Sequence, residues 1–181
     1  MKGPEVRVLA GRWKGRRLAA GPRARPTSSR ARAALFDILG ETIVGSAVLD
    51  LFAGSGAVGI EAVSRGARSA VLVEPEAAVL RAAVERLGAE SGDLRIVGEE
   101  ARSALRRLAR EDDRFDLVFA DPPYDEPLDP QLLAAVPALL APEGTFVIQQ
   151  DERQPAFEVP GLRLEQRRAY GRNVFLFFGM R

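Results

Sequence analysis

The chain has 181 residues, enough for one domain with a substantial core, and it contains neither Cys nor His. Those absences exclude disulfides, thiolate zinc sites, iron–sulfur clusters, cysteine nucleophiles and the commonest general base, leaving chemistry to carboxylates, hydroxyls, Tyr, Lys, backbone groups or a cofactor. The net charge of +1 hides a segregation: residues 1–32 carry ten Lys or Arg against Glu5 alone, whereas the rest is net acidic, which points to a polyanion partner at the N-terminal end.

Residues 5–20 (EVRVLAGRWKGRRLAA) read as a β-hairpin, with Val6, Val8 and Leu9 before a turn near Gly11. The loop GPRARPT follows, stiffened by Pro22 and Pro26. The spacing then predicts a helix capped by Thr27 or Ser28, with Ala34, Leu35, Ile38 and Leu39 on one face and Gly40 as its stop. From residue 46 the texture becomes a regular alternation. Strands are predicted at 47–52, 69–74, 94–98, 115–120 and 144–150. Helices fall between them at 57–67, 76–89, 101–111 and 130–141, the last interrupted near Pro137. Such alternation builds a parallel sheet covered on both faces. The rhythm breaks at 162–179, which reads as an antiparallel hairpin turning near Gly171 and Arg172. The domain reading is a basic hairpin and loop over 1–27 followed by an α/β domain over 28–181. No apolar run approaches the roughly 20 residues that span a bilayer. The N-terminus lacks the apolar core and cleavage site of a signal peptide, so a cytoplasmic monomer is the expectation.

The first strand of the alternation leads into LDLFAGSGAVGIEA. Gly54, Gly56 and Gly59 match the dinucleotide fingerprint in its strand–loop–helix context, so a dehydrogenase is one reading. Asp50, at the end of the same strand, opposes it, because a carboxylate there repels a pyrophosphate. S-adenosylmethionine has no phosphate; it offers an ammonium, a sulfonium and a carboxylate, and an acid before the glycines suits it. Glu74 ends the second strand, where a carboxylate accepts both ribose hydroxyls, a contact that NAD and S-adenosylmethionine sites share. Glu100, just past the third strand, lies where an adenine amino group is held.

The fourth strand, FDLVFA, stops abruptly at Asp121, Pro122, Pro123 and Tyr124. Ligands of open α/β sheets lie beyond the carboxyl ends of the strands, near the switch point, so Asp121 is expected to face a cofactor held by the first loop. Its carboxylate and the Pro122 carbonyl can accept both hydrogens of a planar amino group and aim the nitrogen lone pair at a methyl sulfonium. Consecutive prolines hold that carbonyl because their φ is locked. Tyr124 offers a stacking face for a base taken out of its stack. A Pro-rich turn accounts for the prolines but not for the acid and the ring together. In the N-terminal segment, Val, Leu and Trp13 interleaved with charge argue for a folded hairpin. Arg12, Lys14, Arg16, Arg17, Arg23 and Arg25, with Arg30 beyond them, are candidate phosphate contacts.

Four stretches, GRWKGRRL, RPTSSRARAALFDIL, LDLFAGSGAVGIEAVSRGA and FDLVFADPPY, in this order, resemble the bacterial small-subunit ribosomal RNA guanine-N2 methyltransferase family. The resemblance covers nearly the whole chain. It implies an α/β, Rossmann-like class I methyltransferase sheet of seven strands with the last antiparallel, plus an N-terminal hairpin. It also implies S-adenosylmethionine as cofactor, no metal, and methylation of the exocyclic N2 of one guanine in small-subunit ribosomal RNA, within an assembled or assembling subunit. On that resemblance Asp50, the loop residues Phe52, Ala53, Gly54, Ser55 and Gly56, then Glu74, Pro75, Glu100, Ala101 and Asp121 line the cofactor, and Asp121 to Tyr124 hold the guanine. A DNA adenine-N6 or cytosine-N4 amino-methyltransferase uses the same DPPY logic but usually carries a larger target-recognition region. A non-catalytic RNA-binding protein that keeps the fold is the remaining reading.

Overall fold

A computed structural model describes residues 5–19, 28–123, 129–155 and 157–181. Strands β1 (Glu5–Arg7) and β2 (Arg17–Ala19) pair antiparallel as a hairpin. Helix α1 (Ser29–Leu39) is capped by Ser28, whose Oγ accepts from the Ala31 amide at 3.1 Å, and a 3-10 turn over Gly40–Ile43 follows. Then come β3 (Ala47–Leu51), α2 (Ala57–Ser64), β4 (Ser69–Val73), α3 (Ala78–Leu87), β5 (Leu94–Val97), α4 (Ala101–Arg110) and β6 (Phe115–Ala120). Helix α5 (Pro130–Ala135), a 3-10 turn (Val136–Leu139), β7 (Leu140–Asp151), β8 (Leu162–Tyr170) and β9 (Asn173–Met180) complete the order.

The large sheet has seven strands in the order β5-β4-β3-β6-β7-β9-β8. The strands from β5 to β7 run parallel, and β9 inserts antiparallel between β7 and β8. β3 is buried along its whole length, Asp50 included, as a strand covered by helices on both faces must be. One core, on the side of α1, α2, α3 and the hairpin, gathers Leu35, Ile60, Leu72, Phe119 and Phe175. The other, under α4 and α5, gathers Leu105, Val118, Leu133, Phe146 and Phe178. The sheet order reverses between β3 and β6, and there Asp50 pairs with Phe119 and Leu51 with Ala120. That register sets the loop after β3 beside Asp121.

Helix α2 is buried at every position. A helix buried all round needs a cover on every side, and the N-terminal hairpin supplies the outer one: Val6, Val8, Trp13 and Leu18 join the α2 side of the core. Polar anchors fix it there. Glu61 accepts from the amides of Leu9 at 2.7 Å and Ala10 at 3.0 Å, and Ser64 Oγ accepts from Trp13 N at 3.0 Å. The approach is close enough that a Cβ on Gly11 would sit 1.6 Å from the Ser64 carbonyl oxygen.

The boundary between the fifth helix and the following strand departs from the sequence expectation. The helix predicted to reach 141 ends at Ala135, and the strand predicted from 144 starts at Leu140. Pro137 has no N–H to donate, so the α-helical ladder ends and the chain tightens into a 3-10 turn although Val136 keeps helical dihedrals. The pairing with β6 then shifts register between Phe115 and Leu117, an irregularity that needs Gly144: a Cβ there would lie 2.7 Å from the Phe115 carbonyl oxygen. Among the described residues no helix is long and apolar enough to cross a membrane.

Candidate active site

The loop after β3 turns sharply. Phe52 takes a left-handed φ of 61°, uncommon for a bulky residue, and Gly54 and Gly56 follow at 54° and 74°. The Ala53 amide donates to the Val73 carbonyl at 2.9 Å, tying the loop to β4, and Gly56 N donates to the Ala53 carbonyl at 2.7 Å. The three glycines differ in their reasons. A Cβ on Gly59 would meet Leu72 Cδ2 at 2.1 Å, and one on Gly56 would meet Leu80 Cδ1 at 2.6 Å, so these two allow α2 to seat. A Cβ on Gly54 would meet nothing closer than 4.0 Å. Gly54 therefore lies against open space, where a ligand can approach the backbone. Ala53, Ser55 and Ala101 are buried, whereas Pro75 is exposed.

Three carboxylates converge at this end of the sheet. Asp50 is 2% exposed, and its Oδ2 accepts from the Gly59 amide at 2.8 Å. Burial pushes its pKa up to about 7; the Gly59 N–H opposes the rise, and the charges of Asp121 and Glu74 reinforce it. Asp50 thus holds the first turn of α2 from behind the loop. Glu74 is half-buried and reaches the loop itself: Oε2 accepts from Gly54 N at 2.9 Å and Oε1 from Glu76 N at 3.1 Å. Asp121 is half-buried, and Gln149 Nε2 on β7 donates to its Oδ2 at 3.2 Å. Of the adjacent acids past β5, Glu99 is committed to Arg107 at 3.0 Å, while Glu100 is exposed at the N-cap of α4.

Asp50, Gly54, Glu74 and Asp121 are thus brought to one end of the sheet, with Pro122 and Pro123 following the acid. Tyr124, Arg23 and Arg25 lie outside the described residues. Gln149 was absent from the sequence-based site; its only sequence signal is a polar pair closing the apolar run GTFVIQQ. The basic candidates of the hairpin fall elsewhere. Arg12 stacks over Trp13 at 4.1 Å and pairs with Asp93 at 2.6 Å. Its amide bonds the Ser64 carbonyl at the C-terminal end of α2, about 12 Å along the helix from the glycine loop. Arg16 Nη2 donates to the Arg86 carbonyl at 3.5 Å, and Lys14, Arg17 and Arg30 are exposed. A cavity of about 430 Å³ lined by Ile43, Ser46, Arg68, Asp116 and Thr145 opens at the amino ends of the strands, opposite the converging acids.

Comparison with known proteins decides the family. Residues 6–179 match the family model described as Conserved hypothetical protein 95. The chain is 40% identical over 123 residues to Ribosomal RNA small subunit methyltransferase D of Escherichia coli K12, a match spanning 66% of this chain and 61% of that protein's length. It is 31% identical over 173 residues to the putative rRNA methyltransferase YlbH of Bacillus subtilis, spanning 92% and 94%. The chain belongs to the ribosomal RNA small subunit methyltransferase D family. It superposes on the putative methyltransferase yhhF from Escherichia coli with a TM-score of 0.83 and 31% identity, over 98% of both chains. The seven-stranded sheet with its last strand antiparallel, expected from the resemblance, is the one observed.

S-adenosylmethionine is the cofactor that fits a family member's site of this chemistry. The end of the sheet gathers carboxylates, which suit an ammonium, a sulfonium and ribose hydroxyls and oppose a pyrophosphate. The open face of Gly54 leaves the backbone accessible beside Glu74.

Proposed function

We propose that this family member transfers the methyl group of S-adenosylmethionine to the exocyclic N2 of one guanine in small-subunit ribosomal RNA, within an assembled or assembling subunit in the cytoplasm. The observation that carries the reading is Asp121. It follows directly on Ala120, which pairs with Leu51 at the switch point, and Gln149 holds its carboxylate from β7.

S-adenosylmethionine, when bound, supplies a methyl already activated on a sulfonium. The chain's residues then have to bind, align and accept. Glu74 accepts the ribose hydroxyls, Glu100 the adenine amino group, and Asp50 steadies the glycine loop through Gly59. The Asp121 carboxylate and the Pro122 carbonyl accept the amino hydrogens of guanine, which turns the nitrogen lone pair toward the methyl. Tyr124 stacks on the base. Alignment supplies most of the acceleration, and the two acceptors stabilise the positive charge that develops on nitrogen. As the N–C bond formed, the methyl–sulfur bond would break with S-adenosylhomocysteine as the leaving group, and Asp121 would take up the proton released from nitrogen. The absence of Cys agrees with an exocyclic target, because methylation at pyrimidine carbon 5 requires a thiolate. Arg12, Lys14, Arg16 and Arg17, with Arg23, Arg25 and Arg30, contribute phosphate contacts.

The test is methyl transfer from labelled S-adenosylmethionine to unmodified small subunits, naked small-subunit rRNA and duplex DNA, with the nucleosides identified by mass spectrometry. N2-methylguanosine in RNA, reduced about a hundredfold or more in Asp121→Ala, is the expected outcome. Methylated adenine or cytosine in DNA would replace the substrate, and transfer to none of the three would overturn the proposal.

A further inference from the structure

Strands β8 and β9 form the edge of the sheet, and the turn joining them, Gly171–Arg172, lies on the Asp121 side. Asn173 opens β9 opposite Asp151 at the carboxyl end of β7, and Tyr170 pairs with Asn173 across the hairpin. Gln149 links this turn to the acid: its Nε2 lies 3.2 Å from Asp121 Oδ2 and 3.5 Å from Asn173 Oδ1. One amide therefore joins the hairpin tip to the proposed methyl acceptor site.

Three exposed arginines, Arg167, Arg168 and Arg172, surround the tip. Among the described residues none of them forms an ion pair, whereas Arg163, at the other end of β8, is held by Glu165 at 3.1 Å. On β8 itself the ion-paired arginine is the one at the end away from Asp121, and at the tip Arg172 lies within electrostatic reach of the Asp151 carboxylate. The register also splits these side chains between faces. Arg168 pairs with Phe175, as Gln149 does, and so projects on the α1 side, while Arg167 pairs with Leu176 and projects on the other. Tyr170 shares the Arg168 face, half-buried, with its ring 6.1 Å from that of Phe175.

Charged side chains on an edge strand also discourage pairing with another chain's strand. That role accounts for arginine on β8. It does not account for Arg172, which lies in the turn. The N-terminal cations make a poorer contact for the reacting nucleotide, because Arg12 is tied to Asp93 beside the far end of α2.

We infer that the β8–β9 tip is a second RNA-contacting surface, on which Arg167, Arg168 and Arg172 grip the phosphates flanking the target guanine. It rests on the function proposed above and adds the place where the strand is held. Guanidinium forks bind phosphate oxygens bidentately, and such contacts fix register without reading sequence. Arginines on both faces of one hairpin tip can straddle a backbone.

The decisive variant is R167E/R168E/R172E, which keeps the edge charged and so leaves its guard against strand pairing in place. Its control is R68E/R110E/R114E, three exposed arginines at the amino ends of the strands, with the same change in net charge. Both are compared with the wild-type chain for binding to unmethylated small-subunit rRNA over a salt series and for methyl transfer to it. The tip variant is expected to raise the KM for RNA about tenfold or more relative to the control. It should also flatten the log K against log salt slope by about 2, with the cofactor Kd and kcat at saturating RNA unchanged. R167K/R168K/R172K should restore most of the binding. A tip variant whose KM and salt slope match those of the control overturns this inference alone. A wild-type chain that neither binds nor methylates rRNA overturns the function on which it rests.

Discussion

Asp50 and Gln149 act through others rather than by projecting into the cleft. Asp50 has a pKa raised from 3.8 to about 7, chiefly by burial. The folded chain therefore holds this proton more tightly than the unfolded chain does. The resulting stabilisation is complete below about pH 4 and is lost as pH rises through about 7, an effect of up to about 4 kcal/mol. Asp50→Asn keeps an oxygen for the Gly59 amide and removes the titration. Its unfolding free energy, measured in denaturant, should gain on that of the wild type as pH rises from about 4 to about 8; a difference independent of pH would refute the assignment. Gln149 belongs to the reaction differently. Ile148 pairs with Ala120, so the next residue on β7 stands beside Asp121 by register alone. Gln149→Leu removes the donor to Asp121 and is expected to lower kcat about tenfold to a hundredfold while leaving the cofactor Kd unaltered. Steady-state kinetics on rRNA checks this, and equal losses in kcat and cofactor binding would reduce Gln149 to a packing role. Asp50 and Asp121 were legible in the sequence because each ends an apolar strand with an acid. Gln149 was not, since nothing local says which of two glutamines faces the neighbouring strand's last residue.

The hairpin and α2 depend on each other at the scale of elements. Glu61 is buried, accepts two hairpin amides, and lies against the buried Arg32, whose Nη2 donates to the Arg7 carbonyl and whose Nε is 3.7 Å from Glu61 Oε2. Arg65 Nε adds a further bond to Glu61 at 2.8 Å. Removing one partner of a buried pair leaves the other charge uncompensated, so Glu61→Ala should destabilise the chain by about 3–5 kcal/mol. A loss in equilibrium unfolding below about 1 kcal/mol would mean that the pair behaves as a surface contact. The sequence predicted both elements, hairpin and helix, yet assigned Glu61 no role. The apolar surround of α2 was its one local hint, because such a helix has to be covered by something. The register shift at the start of β7 was hidden for a similar reason: Pro137 and Gly144 mark a disturbance, but only the pairing with Phe115 defines its form.

Across the whole molecule, the two ends of the sheet divide the work. The carboxyl ends gather Asp50, Glu74, Asp121 and the β8–β9 tip, while the amino ends hold the docked turn of the N-terminal hairpin. Composition, the glycine loop, the acids closing successive strands and the DPPY stretch were all readable from the chain alone. They are local signals, carried by period, turn chemistry and residue type within a few positions. On them rested the α/β class, the strand and helix order, the family resemblance and most of the candidate cofactor-facing residues. The tertiary structure alone decided which distant segments meet. It inserted β9 between β7 and β8, laid the basic hairpin over α2 with Arg12 bound to Asp93, and brought Gln149 to Asp121. It also set the exposed arginines of the β8–β9 tip at the carboxyl end of the sheet. Such contacts join residues far apart in the chain, and no short-range pattern specifies them, because they follow from how complete faces pair when the core is buried.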